Sequence, residues 1–144
     1  MTDDDALWSA FLTFIEQAPA VQIPAVLFEG FRDQMIAEGV PSERATQSIR
    51  AIISMAVTRR DWSAPMFDRI YACSKPGFST QPNAFLVEAS AGRRPGTALD
   101  IAMGQGRNAL YLASRGWKVT GFDVSREGVA AARQAAAQRD LNVE

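Results

Sequence analysis

The most constraining feature of this 144-residue chain is a change of period after Gly96. Thr97-Ala98-Leu99-Asp100-Ile101-Ala102 is a short apolar run suited to a strand. Met103 to Arg107 holds two glycines and reads as a turn, and Asn108 to Arg115 reads as a helix stopped by Gly116. Trp117 to Phe122 forms a second strand candidate ending at Asp123. Ser125 is placed to cap an alanine-rich helix running to about Asp140, and Leu141 to Glu144 opens a third strand. Strand, glycine turn, helix, strand is a βαβ unit, which needs a parallel sheet and a crossover of one hand.

The preceding residues carry a different pattern. Leu7, Phe11, Phe14, Ile15 and Ala18 fall on one helix face, and Pro19 ends it. Pro24 suits the first turn of a second helix bearing Leu27, Phe28, Phe31 and Met35, with Gly39 as its stop. A third helix starting at Pro41 or Ser42 places Ala45, Ile49, Ile52, Ile53 and Ala56 together. These Met and aromatic positions are core positions on this spacing. A break at Asp61 to Pro65, a short helix through Phe67, Ile70 and Tyr71, a turn-rich loop from Ser74 to Pro82 and a helix from Asn83 to Ala91 complete the path. The expected organisation is a helical segment, 1–60, followed by an α/β segment, 61–144.

Composition narrows the function classes. No stretch is long and apolar enough for a membrane helix, and the start, Met1-Thr2-Asp3-Asp4-Asp5, is acidic where a leader would be basic. The expected location is the cytoplasm. One cysteine, Cys73, and no histidine leave no disulfide within the chain and no cysteine- or histidine-based metal site. Cys73 reads as a small buried apolar residue and Arg59-Arg60 as a solvated pair. Residues 1–92 hold 7 Lys and Arg against 11 Asp and Glu, and residues 93–144 hold 8 against 5. No basic run is interleaved with aromatics, so a nucleic-acid surface is not indicated.

A βαβ unit binds ligands beyond the carboxyl ends of its strands. Gly104 and Gly106 allow the tight reversal and close approach of a ligand to the main chain. The following helix aims free N–H groups at the site. Asp123, at the tip of the second strand, is placed to accept both hydrogen bonds of a ribose diol. Two cofactor classes fit. Gly104-x-Gly106-x-x-Ala109 meets the dinucleotide fingerprint. Asp100, however, closes the first strand, and a carboxylate about 6 Å from one negative charge costs roughly 3 kcal/mol at an effective dielectric near 20. A cofactor carrying an ammonium and a sulfonium is instead attracted there.

The run Leu99-Asp100-Ile101-Ala102-Met103-Gly104-Gln105-Gly106-Arg107-Asn108-Ala109 resembles the first motif of class I S-adenosylmethionine-dependent methyltransferases. Val119-Thr120-Gly121-Phe122-Asp123-Val124-Ser125 resembles the next motif. Phe67-Asp68-Arg69-Ile70-Tyr71 and Gln81-Pro82-Asn83-Ala84-Phe85-Leu86 are similar to the lead-in of small bacterial members of the tellurite-resistance type. The resemblance spans about Phe67 to Glu144. It implies S-adenosylmethionine as cofactor, held by Asp100, Ala102, Gly104, Gly106 and Asp123, a small-molecule methyl acceptor, and no named catalytic base or metal ligand. Arg107 and Asn108 are read as structural. Ala102 stands at the first glycine position of the pattern, a departure that alanine tolerates if the backbone angle there is ordinary.

The resemblance also implies a Rossmann-like sheet of seven strands, of which this chain supplies two and the start of a third. The expectation is therefore an incomplete domain, inactive by itself and continued beyond Glu144 or completed by a second chain. The alternatives are part of an NAD(P)-binding oxidoreductase and a non-catalytic helical interaction module.

Overall fold

The computed structural model describes residues 2–144 as two compact units, one running to Pro76 and the other from Gly77 to Glu144. The first unit is all helical: α1 (Asp3–Gln17), α2 (Ala25–Ala37), α3 (Ser42–Ala56) and α4 (Ser63–Tyr71). The short helix α4, assigned by sequence to the α/β segment, packs with α1, so the division falls at Pro76 rather than at residue 60. Its buried Met66 and Ile70 join the core formed by Trp8, Phe11, Ile15, Leu27, Phe31, Ala45 and Ile52.

Local chemistry sets the ends of these helices. Thr2 and Asp5 form a reciprocal capping box at the start of α1, and Pro24 stands immediately before α2. Phe11 and Phe31 lie 5.5 Å apart between ring centroids, and Phe11 and Phe28 stack at 5.2 Å. Gly30 admits the Phe14 ring, which would stand 3.0 Å from a Cβ at that position.

Trp8 was absent from the periodic set that sequence reasoning picked out, yet it is almost fully buried. Its indole N–H donates to the Asp61 carboxylate at 3.1 Å, giving the buried ring a polar partner. Arg59 is not merely solvated. Its guanidinium donates to Asp5 at 2.7 Å and lies 5.3 Å from the Trp8 ring centroid. Cys73 is half-buried, outside the core that its apolar character suggested.

The second unit contains α5 (Ala84–Ser90), β1 (Thr97–Ile101), α6 (Arg107–Ser114), β2 (Lys118–Phe122) and α7 (Arg126–Gln138). Strands β1 and β2 are parallel, with Asp100 opposite Gly121 and Ile101 opposite Phe122. The expected start of a third strand is present as a parallel bridge between Val119 and Val143. Gly121 N donates to Glu144 O at 2.7 Å and Glu144 N to Val119 O at 2.9 Å. This is an α/β arrangement with the opening of a Rossmann-like sheet.

Period-two alternation divides the sheet faces. Val119 packs with Ala109 and Leu112 of α6, and Ala98 and Trp117 close around them. Leu99, Ile101 and Phe122 alternate to the other face, where each is more than half exposed, as is the neighbouring Val124. No helix among the described residues is long and apolar enough to cross a membrane.

The contact between Asp5 and Arg59 gives the first unit a pH dependence. The Arg59 guanidinium, aided by Thr2, lowers the Asp5 pKa from 3.8 to about 2. A depressed carboxylate pKa contributes stability that is present above the unfolded value and lost as pH falls through the folded one. Thermal unfolding followed between pH 4.5 and 2 should therefore show a loss that Asp5→Asn removes. An identical profile in both proteins would refute this assignment.

Candidate functional site

The site is built around the reversal from β1 into α6. Three alternate residues have left-handed backbones: Ala102 at φ 58°, Gly104 at φ 54° and Gly106 at φ 80°. Glycine adopts this region freely, whereas a Cβ costs about 1–2 kcal/mol there. The condition under which an alanine would be unstrained at this position, an ordinary backbone angle, is not met: Ala102 carries the strain that a glycine would avoid. Gly106 has a second reason to lack a side chain, since its Cβ would stand 2.9 Å from that of Ala132 in α7.

The turn is also fastened to the second strand. Met103 N donates to Phe122 O at 3.1 Å, and Gly106 N donates to Met103 O at 2.9 Å. The buried Met103 side chain lies over Gly121, where any Cβ would collide with its sulfur. The role of Gly121 was not apparent in sequence, because it depends on a partner 18 positions away that only the fold brings near.

Both predicted acids stand at the carboxyl ends of adjacent parallel strands, flanking this turn. Asp100 Oδ2 accepts from Ala109 N at 3.0 Å. Ala109 is the third residue of α6, whose N-terminal cap is Gly106, a residue with no capping side chain. Asp100 thus supplies from β1 the oxygen that a Ser or Asp cap would supply locally. Burial raises its pKa above the usual 3.8, and the negative charge of Asp123 raises it further. The Ala109 amide and Arg107 act in the opposite direction.

Asp123 uses both oxygens. Oδ2 accepts from Gly104 N at 2.8 Å, and Oδ1 accepts from Ser125 N at 2.8 Å. Each carboxylate oxygen has a second acceptor direction, so Asp123 retains the capacity to receive a ligand hydroxyl pair. The fully buried Ser125 caps α7 by accepting from Gly128 N at 3.0 Å.

The loop before α5 is attached to the same turn. Gln105 Nε2 donates to Ser79 O at 3.3 Å, and Arg107 Nη1 donates to Gln81 O at 3.4 Å. Asn108 Oδ1 accepts from Asn83 N at 2.9 Å. Asn83 in turn caps α5 by accepting from Phe85 N and Leu86 N. Arg107 and Asn108 have the structural roles read from sequence, and Gln105 joins them unpredicted.

The methyltransferase domain family matches residues 98–144, from β1 to the end of the chain. Residues 98–144 of the second unit are therefore similar to methyltransferase domains. The family uses S-adenosylmethionine, and its members are enzymes. One relative of this segment is the ribosomal RNA small subunit methyltransferase C of Alcanivorax borkumensis, 36% identical over 62 residues, 41% of this chain. Another is the probable S-adenosyl-L-methionine-dependent methyltransferase TehB of Haemophilus influenzae, 33% identical over 70 residues, 49% of this chain. The chain covers 19% and 24% of the lengths of these relatives.

Among solved structures, TehB from Haemophilus influenzae overlaps 56% of this chain and 26% of its own, at 27% identity and a TM-score of 0.41. A structure concerned with the conversion of a disulfide bond into a thioacetal group during echinomycin biosynthesis overlaps 56% of this chain and 37% of its own, at 30% identity and a TM-score of 0.48.

Two predictions follow from the turn. Ala102→Gly should stabilise the second unit by about 0.5–1 kcal/mol, the relief of left-handed strain less the added unfolded-state freedom of glycine. Urea unfolding monitored in that unit measures it, and a destabilised variant would contradict the strain.

Asp100→Asn should keep the bond from Ala109 N through the amide oxygen while removing a half-buried charge. A raised carboxyl pKa means the folded state holds the proton more tightly, so stability is lost as pH rises through the folded value. The variant should therefore be at least as stable as the parent at pH 7, with the advantage disappearing below pH 4. Denaturation at both pH values reads this directly.

Proposed function

We propose that the second unit binds S-adenosylmethionine at the β1–α6 turn for methyl transfer to a small-molecule acceptor in the cytoplasm. The observation carrying this reading is the placement of Asp100 and Asp123 at the tips of neighbouring parallel strands on either side of a left-handed turn. In the proposal, Asp100 faces the ammonium and sulfonium end of the cofactor, and Asp123 accepts the ribose hydroxyls. Ala102, Gly104 and Gly106 bring the main chain close to the methionine portion.

The residues fit that group on their own chemistry. Asp100 has one oxygen committed to Ala109 N, leaving the other available to a cation. The same bond argues against a dinucleotide, because it uses one of the α6 N–H groups that a pyrophosphate would engage and adds a repelling charge. The Gly106 position, with no room for a Cβ, keeps α6 and α7 close behind the turn.

The bound cofactor supplies an activated methyl group on a good sulfur leaving group. This chain's contribution is orientation. The Asp123 carboxylate is held by two backbone amides before any ligand arrives, so little reorganisation accompanies binding. Asp100 is held likewise by the first turn of α6. No side chain is assigned as a general base.

Titration calorimetry on the 144-residue chain tests the reading. S-adenosylmethionine should bind and NAD should not. Asp100→Asn, with its fold checked by circular dichroism, should weaken binding by about tenfold or more, in line with loss of a charge-assisted contact. NAD binding without S-adenosylmethionine binding, or unchanged affinity in Asp100→Asn, would overturn it.

A further inference from the structure

The loop before α5 is fastened to the β1–α6 turn by bonds of unequal quality. Asn83 N donates to Asn108 Oδ1 at 2.9 Å, which joins the cap of α5 to the first turn of α6. The contacts from Gln105 to Ser79 O and from Arg107 to Gln81 O are longer, at 3.3 and 3.4 Å, and come from flexible side chains. Such bonds persist only where the loop is already in place. Ser79 contributes to that placement, because its Oγ accepts from Gln81 N at 3.1 Å and fixes the turn that presents the Gln81 carbonyl.

The charge of Arg107 makes this placement consequential. Arg107 is the first residue of α6, where the positive end of the helix disfavours a cation and a nearby acid attracts it. The nearby acids are Asp100 and Asp123. Asp100 accepts from Ala109 N, two residues further along the same helical turn. Burial raises the Asp100 pKa, and the Arg107 charge already opposes that rise. Yet among the described residues Arg107 forms no ion pair; its guanidinium donates to a neutral carbonyl of the loop.

We propose that the loop 79–83 is a holding device for Arg107. Latched through Asn108, it keeps the guanidinium off Asp100. Released, it lets the guanidinium take the place on Asp100 that the cationic end of the cofactor would occupy. The displaced ligand rests on the cofactor reading above, whereas the holding itself concerns only residues of this chain. Asn108 is then a positioning residue that touches no ligand. One cation exchanges for another on the same carboxylate, so the state of the loop sets the binding-competent fraction of the protein. By linkage, a bound cofactor favours the latched loop to the same degree.

Carboxyl NMR titration of the 144-residue chain without cofactor tests the holding of Arg107. Asn108→Leu removes the acceptor of the Asn83 amide and should lower the Asp100 pKa by about 1 or more as the guanidinium moves in. Adding Arg107→Gln should return it to the parent value or above. Ser79→Ala, at an exposed position outside the helices, loosens the loop by a second route and should lower the pKa in the same direction. It decides the matter where circular dichroism shows Asn108→Leu unfolded. An unmoved Asp100, or a fall that persists without Arg107, would overturn the proposal.

Calorimetry with S-adenosylmethionine tests the competition. A guanidinium on Asp100 about nine-tenths of the time weakens binding by about tenfold, so Asn108→Leu should show that loss and Arg107→Gln should restore it. A general distortion of the site would not be repaired by removing a second side chain. Undiminished affinity in Asn108→Leu, or a loss that Arg107→Gln leaves in place, would overturn the competition. A parent chain that binds no S-adenosylmethionine would instead overturn the cofactor reading, and the titration without cofactor still decides where Arg107 is held.

Discussion

The second unit depends on a backbone reversal that L-residues adopt at a cost. To pass from β1 into α6 over a few residues, the chain takes left-handed angles at 102, 104 and 106. Every subsequent contact presupposes this path. It brings Ala109 N within reach of Asp100, turns Gly104 N toward Asp123, and lets Met103 lie across Gly121. Two glycines meet the demand without strain, and Ala102 meets it only because its surroundings hold it there.

The two acids show how folding and binding can use the same atoms. Asp100 substitutes for the cap that Gly106 lacks, and Asp123 joins the turn to the start of α7 through one carboxylate. Neither acid is placed by its immediate neighbours in sequence alone. Each acts as a tether between elements, and each retains an acceptor direction beyond that bond. Burying Asp100 works against its ionised form, while the proposed cationic ligand needs that form. The site therefore carries an electrostatic cost in the free protein that ligand binding would relieve.

Much of this was legible from residue order. The helices bearing Phe11, Ile15, Leu27, Phe31 and Ile52 follow from their spacing, and the βαβ pattern follows from the glycines between two apolar runs. Ser125 and Asn83 are recognisable caps because capping chemistry is local. Other features depend on separation in sequence. Trp8 is buried because Asp61 answers its indole N–H, and Arg59 is drawn to Asp5 across 54 positions. Helix α4 sits in the first unit because its Met66 and Ile70 complete that core, a fact of packing rather than period. The angle at Ala102 also escaped, since the residue type argues against the conformation that the turn imposes.

The two units also differ in what their surfaces do as ionic strength rises. The Asp5–Arg59 pair is partly exposed, and mobile ions weaken such a contact. The open sheet face of Leu99, Ile101 and Phe122 responds in the other sense, because sulfate-type salts are excluded from protein surfaces and favour covering apolar area. A concentrated salt solution thus loosens a clasp in one half of the molecule while making the other half adhesive, and the colloidal behaviour of the chain is governed by that opposition.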